Sequence, residues 1–191
     1  MNKLAKIFVV MLGTIFFLTQ NVDFSEAASK SVVYFPFDAS KPDAVIKQEF
    51  KVTEYRSYIF ALKFNYIDSD DLTRLYTLVG GGGIRPDGTY SNPGIKIPVH
   101  IKIHKIENGQ DIGSVSDNII ETQGMYANSF GKAKGTGSLL REIVRINLQP
   151  GTYLLEANSM KEIHEFDETQ VFIKFEWHPN IRFLPQSTLS N

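Results

Sequence analysis

Fifteen residues, Arg145-Ile-Asn-Leu-Gln-Pro-Gly-Thr-Tyr-Leu-Leu-Glu-Ala-Asn-Ser159, constrain the fold more than any other stretch. Val144, Ile146 and Leu148 recur at every second position before Gln149-Pro150-Gly151-Thr152; Tyr153, Leu155 and Ala157 do so after it. A period of two marks strands with one buried face. Proline presets φ and glycine accepts a positive φ, so Pro150 and Gly151 predict a type II turn inside a hairpin. Tyr153 follows closely enough to bury its ring and return its hydroxyl to a backbone group. That resembles the tyrosine corner of β-sandwiches, with Pro150, Gly151 and Tyr153 as the structural corner.

The same period recurs along the chain. Ser31 to Phe37 is β-branched and aromatic, and Pro36 marks it as an edge or a strand end. Ala44 to Arg56 alternates imperfectly. Tyr58, Phe60, Leu62, Phe64 and Tyr66 point one way; Ile95, Ile97, Val99, Ile101 and Ile103 form the strongest strand. Asn108-Gly109 is a hairpin signal leading into a strand over about 115–122. Val171, Ile173, Phe175 and Trp177 alternate near the end, and 185–191 reads as a frayed tail. One segment breaks the pattern: Leu72, Leu75, Tyr76 and Val79 sit at helical spacing, with Asp68 or Ser69 as cap and Gly80 as terminator. The expectation is an all-β, antiparallel sandwich, immunoglobulin-like or jelly-roll-like, with one short helix at about 69–79.

Lys3 and Lys6 precede a run from Ile7 to Leu18, and Ser25-Glu26-Ala27 places small residues at −3 and −1. This reads as a cleaved export signal over 1–27, cut after Ala27, because about 12 residues are too few to span a bilayer. Residues 28–191 then form a single domain, periplasmic or secreted. Cleavage removes two lysines with Asp23 and Glu26, so the net charge stays at −1. A near-neutral chain has no electrostatic footprint for nucleic acid and gives no reason to bind an anionic membrane. With no cysteine there is no disulfide, thiolate metal site, cysteine nucleophile or lipid-modified cysteine. A soluble domain without a membrane anchor is expected, stabilised by its core alone.

Several patterns suggest chemistry and lose to plainer readings. Gly80-Gly-Gly-Gly83 follows a helix and lacks the Lys-Ser/Thr of a phosphate loop. His100 and His104 share a strand face, but four residues put them roughly 13 Å apart, too far for one ion. Asp68-Ser-Asp-Asp71 fits a helix start better than a calcium loop. Ser129-Phe-Gly-Lys132, Ser116-Asp-Asn118 and Lys134-Gly-Thr-Gly137 imitate penicillin-recognising motifs in the wrong order. No cofactor, metal or catalytic set is read from the chain. The candidate recognition surface is the pair of Gly-rich loops at 80–94 and 124–138, with Gly82, Arg85, Tyr90, Tyr126, Lys132 and Lys134 as their distinctive residues.

Phe50-Lys-Val-Thr-Glu-Tyr-Arg, Tyr58-x-Phe-x-Leu-x-Phe, Leu75-x-x-Leu-Val-Gly-Gly, Pro93-Gly-Ile-Lys-Ile-Pro-Val and Arg141-x-Ile-x-x-Ile-x-Leu-x-Pro-Gly-x-Tyr153 occur in this order. The set resembles the bacterial family catalogued as domain of unknown function 5625, over about residues 44–178. The resemblance implies an exported β-sandwich and carries over no catalytic residues. Some small exported proteins of this kind antagonise secreted toxins. The expectation is a non-enzymatic periplasmic module that binds or inhibits a protein partner in the cell envelope; the alternative is a domain that binds carbohydrate or a cell-envelope polymer.

Overall fold

The computed structural model describes residues 32–42 and 44–177. The expected signal, its cut after Ala27 and the tail at 185–191 lie outside the described residues. In chain order the elements are β1 (Val33–Phe37), β2 (Ile46–Val52), β3 (Arg56–Tyr66), α1 (Ser69–Val79), β4 (Gly81–Ile84), β5 (Tyr90–Asn92), β6 (Ile97–Glu107), β7 (Gln110–Thr122), β8 (Ala127–Phe130), β9 (Gly137–Leu148), β10 (Gly151–Ser159) and β11 (Val171–Trp177). A 3-10 turn, His164–Phe166, precedes β11 and buries Phe166. A five-stranded sheet, ordered β1-β11-β3-β9-β8, packs on a four-stranded sheet, ordered β2-β10-β6-β7. All pairings are antiparallel, so the protein is the expected β-sandwich, with β4 and β5 as a separate small hairpin.

The inward stripe is the one that alternation marked. Tyr58, Phe60, Leu62, Phe64 and Tyr66 of β3 meet Ile97, Val99, Ile101 and Ile103 of β6 across the core. In β9 the register slips between Phe60 and Ala61, so Ile143 is an extra residue. This bulge turns Leu139, Arg141 and Ile143 inward on one side and Val144, Ile146 and Leu148 inward on the other. α1 occupies the predicted span. Asp68 Oδ1 accepts from the Asp71 N–H at 2.8 Å, and Leu75 and Val79 enter the core beside β3 and β9. Asn108 and Gly109 have φ of 51° and 74°, the left-handed pair that a two-residue hairpin turn between β6 and β7 requires.

The stretch at 145–159 is not a hairpin. β9 belongs to the five-stranded sheet and β10 to the four-stranded one, so the chain changes sheets at Gln149-Pro150. Gly151 has φ 158°, close to extended and far from the roughly 80° of a type II turn. The corner itself is present. Tyr153 is buried, and its hydroxyl donates to the Gln149 carbonyl at 2.8 Å. The β2-to-β3 crossover repeats the device: Tyr58 donates to the Glu54 carbonyl at 2.9 Å, again four residues back. The Tyr153 ring stacks on Phe50 and the Tyr58 ring on Phe175, while Phe50 and Phe175 touch at 4.7 Å between centroids. Two neighbouring crossovers, running in opposite senses between the sheets, are thus tied through one aromatic cluster.

Candidate functional site

The stretch from Gly80 to Asn92, expected as a plain loop, is a projecting hairpin, β4 paired with β5. Its neck is built by close backbone approach. A Cβ on Gly94 would lie 2.4 Å from the Leu78 carbonyl oxygen, and one on Gly80 would lie 2.5 Å from the Asn92 oxygen. Both glycines also hold positive φ, so only glycine fits this pinch. The Ile95 N–H donates to Leu78 O at 2.7 Å, and Asn92 Nδ2 donates to Tyr76 O at 3.2 Å. Beyond the neck, the exposed tip Arg85–Thr89 holds itself: Arg85 N–H donates to Thr89 O, and Asp87 Oδ1 accepts from the Thr89 backbone N–H and hydroxyl.

Beneath the neck lies Arg141, the buried charge that the sequence reading missed. It is 0% exposed. No carboxylate pairs with it among the described residues. Its guanidinium instead donates to backbone carbonyls: Ile95 at 2.6 Å, Leu78 and Thr122 at 3.3 Å, Pro93 at 3.5 Å, and Val79. Leu78 and Val79 close the C-terminal end of α1, whose last turn carries no basic residue of its own. Arg141 therefore supplies from β9 the positive charge that the helix dipole favours there. Burial lowers its pKa to about 10, so it remains charged at neutral pH. A signal was available: Arg141 stands in register between the inward Leu139 and Ile143.

The predicted site residues divide into two groups. Gly82, Arg85 and Tyr90 share the projecting hairpin. The Tyr90 ring lies flat on Gly124, where a Cβ would come within 2.1 Å of it, and Gly124 N–H donates to Pro93 O at 2.8 Å. This joins the hairpin to the segment that carries Tyr126. Tyr126 is not a free loop aromatic, as expected, but reaches across the outer face of the five-stranded sheet and donates to Glu176 Oε1 at 3.1 Å. Burial, and then the Glu176 charge, push its pKa upward. Lys132 and Lys134 lie elsewhere. The predicted loop at 124–138 is largely the β8–β9 hairpin, whose exposed turn holds both lysines beside the start of α1. A cleft of about 400 Å³ lined by Tyr66, Leu72 and Phe130 separates that turn from the helix. The lysines are thus a helix length, roughly 15 Å, from the neck at Gly80.

Two histidines occupy the outer face of the four-stranded sheet. His100 Nε2 is 2.8 Å from Asp117 Oδ1; His104 Nδ1 is 2.8 Å from Asp111 Oδ2 but poorly aligned for a hydrogen bond. Among the described residues no three metal-capable side chains cluster, and no helix is long and apolar enough to cross a membrane.

The crystal structure of a protein from Sulfurospirillum deleyianum is similar to this chain, with a TM-score of 0.63 and 22% identity. The match covers 79% of this chain and 99% of that one, and at such identity it shows a shared fold. No curated protein matches the chain in sequence. The family model described as "Domain of unknown function (DUF5625)" matches residues 34–177, and the chain belongs to that family.

Proposed function

We propose that the protein is an exported binding module of the bacterial cell envelope, periplasmic or secreted, that engages or inhibits a protein partner through the β4–β5 hairpin. The observation that carries this reading is the rigid neck. The solvent-exposed tip is joined to the sandwich through a neck of two glycines in backbone contact, seated over a buried arginine. Bracing lowers the entropy lost when the tip is immobilised against a partner, which strengthens association without new contacts. The tip offers Arg85 for carboxylate recognition, and Pro86 and Gly88 keep its shape narrow. The adjoining half-buried Tyr90 and exposed Tyr126 extend the surface with aromatic area.

The test is differential capture from an envelope extract, comparing the wild type with a variant whose tip, 85–89, is replaced by Gly-Ser residues. The expected result is a stoichiometric partner retained by the wild type and lost by the variant, with unchanged melting of the sandwich. Equal recovery by both proteins, or no stoichiometric partner for either, overturns the reading.

A further inference from the structure

The outer face of the five-stranded sheet has an imbalance of charge. Lys63, Lys174 and Arg145 stand there with Glu142 and Glu176. Glu176 pairs with Lys174 at 2.6 Å, and Glu142 pairs with Arg145 at 2.8 Å. Lys63 is left without a carboxylate in ion-pair range among the described residues. Its ammonium instead lies between two rings, 4.8 Å from the centroid of Tyr34 and 5.6 Å from that of Phe172. Burial, and then the neighbouring Lys174 charge, lower its pKa below the usual lysine value. A partly desolvated, unneutralised cation is costly and would be relieved by an anion.

Lys63 also lines a groove of about 380 Å³. Asn65 and Gln170 stand beside it, joined at 2.7 Å through Asn65 Nδ2 and Gln170 Oε1, so that Asn65 Oδ1 and Gln170 Nε2 remain for a ligand. Ser129 adds a hydroxyl. Tyr34, 45% exposed, and Phe130, 78% exposed, add aromatic surface. One point charge, an amide pair and aromatic faces suit a particular chemistry. Ring faces stack on the apolar sides of sugar rings, amides take up hydroxyls, and one ammonium matches one carboxylate. Bidentate phosphate recognition favours an arginine fork, and no arginine lines this groove.

We propose that the groove between Tyr34 and Phe130 binds a carboxylate-bearing sugar chain, with Lys63 on the carboxylate, Asn65 and Gln170 on hydroxyls, and Tyr34 stacked on a ring. The site shares no residue with the β4–β5 hairpin, so the two readings stand or fall separately.

Calorimetric titration of residues 28–191 with trigalacturonic acid at low salt tests it, with maltotriose, inorganic phosphate and a glutamate-rich peptide as comparison ligands. The expected result is saturable binding of the trigalacturonate that weakens as salt rises. Lys63→Gln should lower affinity about tenfold or more, as loss of a charged hydrogen bond does. Lys63→Arg should restore most of it, Tyr34→Ala should weaken it, and Lys51→Gln, on β2 of the other sheet, should leave it within about twofold. All three positions are at least partly exposed, so unchanged melting curves exclude misfolding as the cause. The proposal is overturned if trigalacturonate does not saturate, if Lys63→Gln binds as the wild type does, or if maltotriose, phosphate or the acidic peptide binds as tightly.

Discussion

Replacing Arg141 by methionine separates two opposed effects. Removing a buried charge relieves its desolvation, and an apolar substitute of similar length is often neutral where the partner is a charge that can be removed with it. Here the partners are backbone carbonyls, which no substitution removes. Leu78 O still accepts from the Ile95 N–H, and Pro93 O from the Gly124 N–H. The Val79 and Ile95 carbonyls rely on Arg141. A buried acceptor left unpaired costs about 1–3 kcal/mol, and loss of the cation at the C-terminal end of α1 adds about 0.5 kcal/mol. After the desolvation gain, the net loss should be near 3 kcal/mol. For a domain of this size that lowers Tm by about 6–12 °C. Differential scanning calorimetry measures the shift. Hydrogen exchange should show protection lost first at the Gly80, Gly94 and Ile95 amides, whose region the guanidinium holds together. A variant that melts within about 2 °C of the wild type, with these amides still protected, would refute the argument.

Tyr58→Phe and Tyr153→Phe each orphan one crossover carbonyl and should cost about 1 kcal/mol in urea unfolding with an unchanged m-value; a loss at only one of them would show the two corners to be inequivalent. Gly94→Ala and Gly109→Ala both place a side chain at positive φ, but only at Gly94 does the new Cβ meet backbone, so Gly94→Ala should be the more destabilising by at least about 1 kcal/mol. Tyr126 is held protonated by burial and by Glu176, so its folded pKa lies above the unfolded value near 10. Its contribution is complete below that value and falls as pH rises through the folded pKa; Tyr126→Phe should therefore flatten the decline of Tm between about pH 9.5 and 11, and an unchanged decline would contradict the assignment.

Strand period and turn chemistry are local properties, and they were legible. The inward stripe of β3, the helix from Ser69 to Val79, the Asn108-Gly109 turn and the buried Tyr153 hydroxyl follow from residues a few positions apart. The order of strands in the two sheets is not local. Pro150-Gly151 suits a hairpin as well as a crossover, and which it becomes depends on β10 pairing with β2 and β6 instead of β9. Tyr126 read as a loop aromatic because its partner, Glu176, is 50 residues away. Arg141 was visible as a charge in an apolar stripe, but its acceptors come from 19 to 63 residues away in sequence. The chain alone marks which residues face inward along an unbroken strand, because that depends on neighbours at fixed spacing, and it loses the phase at a bulge such as that of β9. Only the folded molecule decides where the buried Arg141 finds oxygen, and that Lys63 meets two rings instead of a carboxylate among the described residues, because those outcomes depend on distances between elements that sequence spacing does not set.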